Sequence, residues 1–218
     1  MHVSINEIDA AVRKAARGAG LSWGQAEEAG KAARKLVEHG FEALRPLADV
    51  LESHSAGGGI ASRIDHDRGN WRGSHGPLSP LVLGPVIADH AGEIRNGRVI
   101  TTGPVVHPVL LIPFVITVAR TCQRPAKIEW PSSGVVVWPN GACGGDVDHL
   151  IHLTIVATVT CRSAEECDVR NSPDPAWLGA CVDPDLWQRF ERLAHLTYVP
   201  ASDLSRRRGA GGGEIDND

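Results

Sequence analysis

The sequence predicts an α+β fold: an N-terminal helical hairpin, then a mainly antiparallel sheet with a buried helix, then a C-terminal helix plus tail. Three observations carry that prediction. Residues 1–54 repeat apolar side chains at helical spacing behind two capping patterns. Residues 109–121 are apolar all round and follow a proline. Residues 127–130 and 135–138 flank Pro131-Ser132-Ser133-Gly134 as two strands flank a turn.

Each element has a local reason. Ser4 with Glu7, and Ser22 with Gln25, have the spacing in which a side chain and a backbone N–H cap each other at a helix start. Ile5, Ile8, Val12, Ala15 and Ala19 form the inner stripe of the first helix, with Asp9 and Arg13 paired four apart outside. Trp23, Ala26, Gly30, Ala33 and Val37 form the stripe of the second, with Glu27, Lys31 and Lys35 toward solvent. Glycines 18, 20 and 40 end the two helices, and the small residues between them predict close packing. A third short helix is expected over residues 46–53. The Gly57–Gly59 run reads as a loop and the polar stretch to Ser74 as irregular, while residues 78–106 resist assignment. The apolar run beyond is expected to be a buried helix starting at Pro108 or Pro113. Residues 149–160 alternate branched with small side chains and read as a third strand. Asp183 and Pro184 begin a last helix with Leu186, Phe190, Leu193 and Ala194 inside. The expected organisation is a single domain over residues 1–218: a helical segment at 1–54, an α+β core at 76–200 and a Gly/Arg-rich tail at 201–218.

Composition narrows the function classes. A formal net charge of -4 and a pI of about 6.2 argue against nucleic acid as a partner. The longest apolar stretch, near residues 105–119, is broken by His107, Pro108 and Pro113 and falls short of a bilayer span, so no membrane partner is expected. The opening residues lack a charged region followed by an apolar one, so no export signal is read. The five cysteines then read as reduced thiols, and a cytoplasmic location is expected.

Two clusters could carry chemistry. Asp146, Asp148 and His152 would share a face if they enter a strand, a set that suits a divalent metal. A polar turn explains them as well, the cysteines lack ligand spacing, and no metal site is assigned. Glu27 and Glu28, with Arg17 nearby, could pair proton transfer with anion binding, although a solvated ion-pair face has the same pattern. The Gly-x-Ser-x-Gly nucleophile context is missing, and the glycine runs lack the placement of a phosphate loop.

The opening Val3-Ser4-Ile5-Asn6-Glu7-Ile8 and the run from Lys14 through Gly18-Ala19-Gly20-Leu21-Ser22-Trp23-Gly24-Gln25 to Gly30 resemble the start of bacterial domain-of-unknown-function family 3726. Thr197-Tyr198-Val199-Pro200-Ala201-Ser202, Ser205-Arg206, Gly209-Ala210-Gly211 and Asp216-Asn217-Asp218 resemble its end. Polar loops near residues 65–75 and 162–175 depart from its pattern. The resemblance brings no activity and leaves any cofactor unknown, but it marks the hairpin and the tail as signature regions.

Two expectations follow. In the first, the chain is a small-molecule enzyme or enzyme subunit: Arg17 binds an anionic group, Glu27 or Glu28 moves a proton and the tail closes the pocket. In the second, it is a non-catalytic accessory protein that engages a metabolic enzyme through its helices or tail. Trp23, Tyr198, Ser202, Arg206, Asp216 and Asp218 are the expected binding residues, for a small-molecule ligand or a protein partner. A homo-oligomer stays open. The acidic end of the tail is expected to meet cations such as Arg17.

Overall fold

Ser4 and Ser22 open the first two helices as their spacing demands. In the computed structural model, which describes residues 1–61, 63–67, 70–164 and 179–198, β1 (His2–Ser4) runs straight into α1 (Ile5–Gly18). Glu7 N donates to Ser4 Oγ at 3.3 Å, and Ser4 N donates back to the Glu7 carboxylate at 2.9 Å. Ser22 and Gln25 repeat the exchange at the start of α2 (Trp23–Glu38). Between them Gly20 takes φ +90°, a conformation that costs other residues strain. The helices pack closely, as their small residues predict: a Cβ on Gly30 would meet the Asp9 carbonyl oxygen of α1 at 2.9 Å.

The chain continues through α3 (Leu44–Ser55), β2 (Ile64–Asp67), β3 (Asn70–Gly73), α4 (Pro80–Asp89), α5 (Ala91–Arg95), β4 (Ile100–Thr102) and β5 (Val105–Val106). A 3-10 turn at Pro108–Leu111 leads into α6 (Ile112–Cys122). Then come β6 (Ala126–Trp130), β7 (Ser133–Val137), β8 (Cys143–Gly145), α7 (Val147–His152), β9 (Ile155–Val156), β10 (Thr160–Ser163), β11 (Gly179–Cys181) and α8 (Pro184–His195). The main sheet among the described residues has seven strands in the order β2-β3-β4-β10-β6-β7-β8. It is antiparallel except where β3 runs parallel to β4. Two small pairs, β1 with β11 and β5 with β9, lie outside it.

Along β6, Ala126, Ile128 and Trp130 are buried while Lys127 and Glu129 are half-buried on the opposite face. There Glu129 accepts from Arg162 at 2.7 Å and pairs with Lys127 at 2.7 Å, and these contacts hold its carboxyl down at about 2. α6 is the buried helix expected from sequence and packs against β6 and β7, α4 and α5. α2 sits on α4 and α6, and α1 on α2, while α8 is laid against both α1 and α3.

Several sequence expectations change. The polar stretch before Ser74 is a β hairpin with Trp71 fully buried, because β3 finds a partner in β4, a pairing invisible to local pattern. Residues 78–106 resolve into α4, α5, β4 and β5. The long strand at residues 149–160 is instead α7, β9 and the start of β10. Val147 and Leu150 turn inward at helical spacing, and Cys161 is fixed in register by Ile100 and Ile128. Trp23 does not belong to the buried stripe of α2: as its first residue it lies beyond the helices that cover Ala26, Gly30, Ala33 and Val37, and it is 70% exposed. Lys35 is half-buried rather than solvated, its stem laid on α6 and its ammonium donating to Thr117 Oγ1 at 2.7 Å. Among the described residues, no helix is long and apolar enough to cross a membrane.

Candidate functional site

Arg17 sits in the last turn of α1, three residues before the glycine that turns the chain, and Trp23 is the first residue of α2. The turn therefore folds one back onto the other. The Arg17 guanidinium lies 4.4 Å from the centre of the Trp23 ring, and its Nη1 donates to the Leu21 carbonyl oxygen. Stacking of this kind at an exposed site is worth about 0.5–1 kcal/mol. It leaves a flat, cation-backed aromatic surface facing solvent.

That surface closes one end of a groove of about 710 Å³ between α1 and the end of α8. Arg13, Lys14 and Arg17 line its α1 wall, the small side chain of Ala10 leaves it room, and Leu196 and Thr197 come from the residues just after α8. A second cleft of about 340 Å³ shares Ala10 and Lys14 and extends along α8 to His195 and Tyr198. Ala10 and Lys14 are thus the wall the two clefts share. Arg13 is paired with Asp9 at 3.0 Å, whereas among the described residues no carboxylate lies within ion-pair distance of Lys14 or Arg17. The carboxylates bordering the second cleft are engaged: Glu7 in the α1 cap, Glu191 by Trp187 Nε1 at 3.1 Å.

Arg17 and Trp23 are thus brought together, whereas Tyr198, 62% exposed, lines the neighbouring cleft. Glu27 and Glu28 are not brought in. Glu27 is exposed on α2, Glu28 pairs with Lys31 at 2.7 Å, and neither lines the groove. Ser202, Arg206, Asp216 and Asp218 lie outside the described residues. Asp146, Asp148 and His152 fall on and before α7 rather than on one strand face, with Asp146 held 3.1 Å from His149 Nδ1. Among the described residues no group of three His, Cys, Asp or Glu side chains is placed to hold a metal ion. Burial pushes the Cys143 and Cys161 thiols up to about 12, so they are packed as apolar groups.

The sequence reading missed a second polar neighbourhood, along α3. Arg189 of α8 donates to Asp49 at 2.6 Å and to Glu52 at 2.6 Å and 2.9 Å. His107, in a left-handed backbone conformation at φ 40°, places Nε2 3.9 Å from Asp49. Further along, His54 Nε2 lies 2.8 Å from the hydroxyl of Ser79, which is fully buried at the start of α4. Burial lowers the pKa of both His54 and His107, with Asp49 opposing the shift at His107. Asp49 and Glu52, three apart on one helix face, were the visible signal. Their cation comes from a helix far along the chain.

Helices layered on a mixed sheet define the class: an α+β protein, with a cationic and aromatic groove between α1 and the end of α8. Residues 3–71 match the family model described as protein of unknown function, DUF3726, so the resemblance read from the N-terminal residues holds there. The matched segment contains the α1 wall of the groove and Trp23; the residues after α8 lie outside it. No curated protein matches the chain.

Proposed function

We propose that this protein binds an anionic group in the groove between α1 and α8 and acts as a non-catalytic accessory component. The observation that carries this reading is the Arg17–Trp23 stack beside Lys14 and Arg13. It offers charge, directional N–H donors and an aromatic face in one open concavity. Proton transfer by Glu27 or Glu28 gains no support from the geometry, since neither carboxylate lines the groove. The ligand class that fits is a carboxylate or phosphate carrying an apolar or planar portion.

Titration of the full chain with benzoate and with inorganic phosphate, followed through the Trp23 indole resonance, tests the reading. Benzoate is expected to move that resonance, added salt to weaken the effect, and Arg17→Ala to raise the apparent Kd about tenfold, the scale of one charge-assisted contact. The double variant Glu27→Gln/Glu28→Gln is expected to bind like the parent. Equal binding by Arg17→Ala and the parent sinks the proposal.

A further inference from the structure

We infer that the main sheet carries a second small-molecule site, where β3 and β4 part, and that it takes an oxyanion bearing neighbouring hydroxyls: a small phosphate ester or hydroxy acid. The place follows from the strand order. β3 and β4 are parallel, with Asn70 beside Thr101 and Trp71 beside Thr102. Side chains alternate along a strand, so Trp71, Ile100 and Thr102 turn into the core while Asn70, Arg72, Thr101 and Gly103 share the opposite face. Past Gly73 and Thr102 the two chains diverge and leave a cavity of about 400 Å³. It lies at the carboxyl ends of parallel strands, where open sheets commonly hold their ligands.

The lining is polar and held in place. Gly103 is the floor: a Cβ there would lie 3.4 Å from Arg72 Cγ, so the bare glycine lets the Arg72 stem rest against β4. β10 flanks β4 on the other side, and Thr158, from the segment entering it, also lines the cavity. The Thr158 hydroxyl donates to the Thr102 carbonyl oxygen at 2.6 Å, which leaves its own oxygen able to accept from a ligand. Thr102, 2% exposed, accepts from Val159 N at 3.2 Å and donates to the Gly103 carbonyl oxygen at 2.9 Å. These bonds tie the two segments together before any ligand arrives.

The groups present select the ligand class. Arg72 is exposed, and among the described residues it is ion-paired with no carboxylate; Asp65, across from it on β2, stays beyond ion-pair distance. A guanidinium with free N–H groups grips a carboxylate or phosphate by two parallel bonds. Beside it the Thr101 hydroxyl and the Asn70 amide supply both donors and acceptors, which is what a ligand hydroxyl requires. Among the described residues no Asp, Glu or large apolar side chain lines the cavity, so a cation or an apolar ligand is a poor match. Its volume falls at the small end of ligand cavities, roughly 300–1,000 Å³. None of these groups belongs to the groove between α1 and α8, and the inference stands apart from that reading.

The test follows the Gly103 amide of the full chain labelled with nitrogen-15 glycine, its signal identified by its loss in Gly103→Ala. Glycerol 3-phosphate or glycerate is expected to shift that signal, the stronger of the two assigning the anion as phosphate or carboxylate, and glycerol is expected to leave it in place. Arg72→Met is expected to raise the apparent Kd about tenfold, the scale of one charge-assisted contact. Thr101→Val keeps the side-chain shape, removes the hydroxyl and is expected to raise it about threefold. Arg17→Ala is expected to titrate like the parent. Equal titrations by the parent and Arg72→Met, a glycerol response as strong as that of the charged probes, or no response to either charged probe overturns the site and leaves the groove reading standing. A Gly103 response lost in Arg17→Ala assigns the binding to the groove and overturns the second site. Thr101→Val titrating like the parent overturns the assignment of hydroxyls to the ligand.

Discussion

α8 makes two junctions, and they use cations in opposite ways. Against α3, Arg189 is 16% exposed and held by two carboxylates, Asp49 and Glu52, so its charge is consumed in joining the helices. Against α1, the helices meet through Gly18, where a Cβ would collide with the Leu193 carbonyl oxygen. The cations there line the groove, and among the described residues none is ion-paired with α8. Lys14 and Arg17 find no carboxylate among the described residues. A cation already chelated by fixed acids has little left to offer a ligand, while one resting on an aromatic ring beside a concavity does. The α3 junction therefore spends its cation on structure, while the α1 junction leaves Lys14 and Arg17 available to the binding proposed above.

The strongest way to break this comparison is at the close approach. Gly18→Val places its Cβ against backbone that cannot rotate away, and it is expected to lower stability by about 3 kcal/mol. Urea denaturation showing a loss below about 1 kcal/mol would mean that α1 and α8 are not in contact there. A matched pair sharpens the contrast. Arg189→Met leaves Asp49 and Glu52 facing each other and is expected to cost about 1–2 kcal/mol, kept modest by their partial exposure. Arg17→Met is expected to stay within about 0.5 kcal/mol of the parent while losing anion binding. Similar stability losses in the two variants would erase the distinction.

The smallest effect is in pH. Burial holds His54 and His107 below their ordinary value of 6.5, with Asp49 working the other way on His107. As pH falls below about 6.5, the unfolded chain takes up protons that the folded chain refuses, so stability is whole above that value and declines below it. Glu52, lowered chiefly by the Arg189 hydrogen bond, adds a second loss only below its ordinary value of 4.5. Thermal melts across the upper window are expected to show a shallower slope in His54→Gln than in the parent, and an unchanged slope would remove His54 from the account.

Local order was legible in the residues. The two caps, the Asp9–Arg13 pair, the buried α6, the β6–β7 hairpin around Pro131 and the Asp183 cap of α8 each rest on interactions within a few positions of sequence. That Arg17 and Trp23 flank one turn was legible, because the glycines mark where α1 ends and α2 begins. Their stacking was not, since Trp23 occupies a stripe position and its exposure depends on where the neighbouring helices stop.

The sequence by itself determined where helices start and end and which faces turn inward, because capping hydrogen bonds and helical periodicity are short-range. Only the tertiary structure decided the rest. It paired β3 in parallel with β4, broke residues 149–160 into a helix and two strands, and gave Asp49 and Glu52 their cation from α8. It also brought Leu196 and Thr197 against α1, which made a groove of three cations and a tryptophan, and it left Glu27 and Glu28 outside. The strand pairing, the ion pairs and the groove join residues distant in the sequence. The free energy that selects them is collective burial and long-range pairing, which no local window of residues contains.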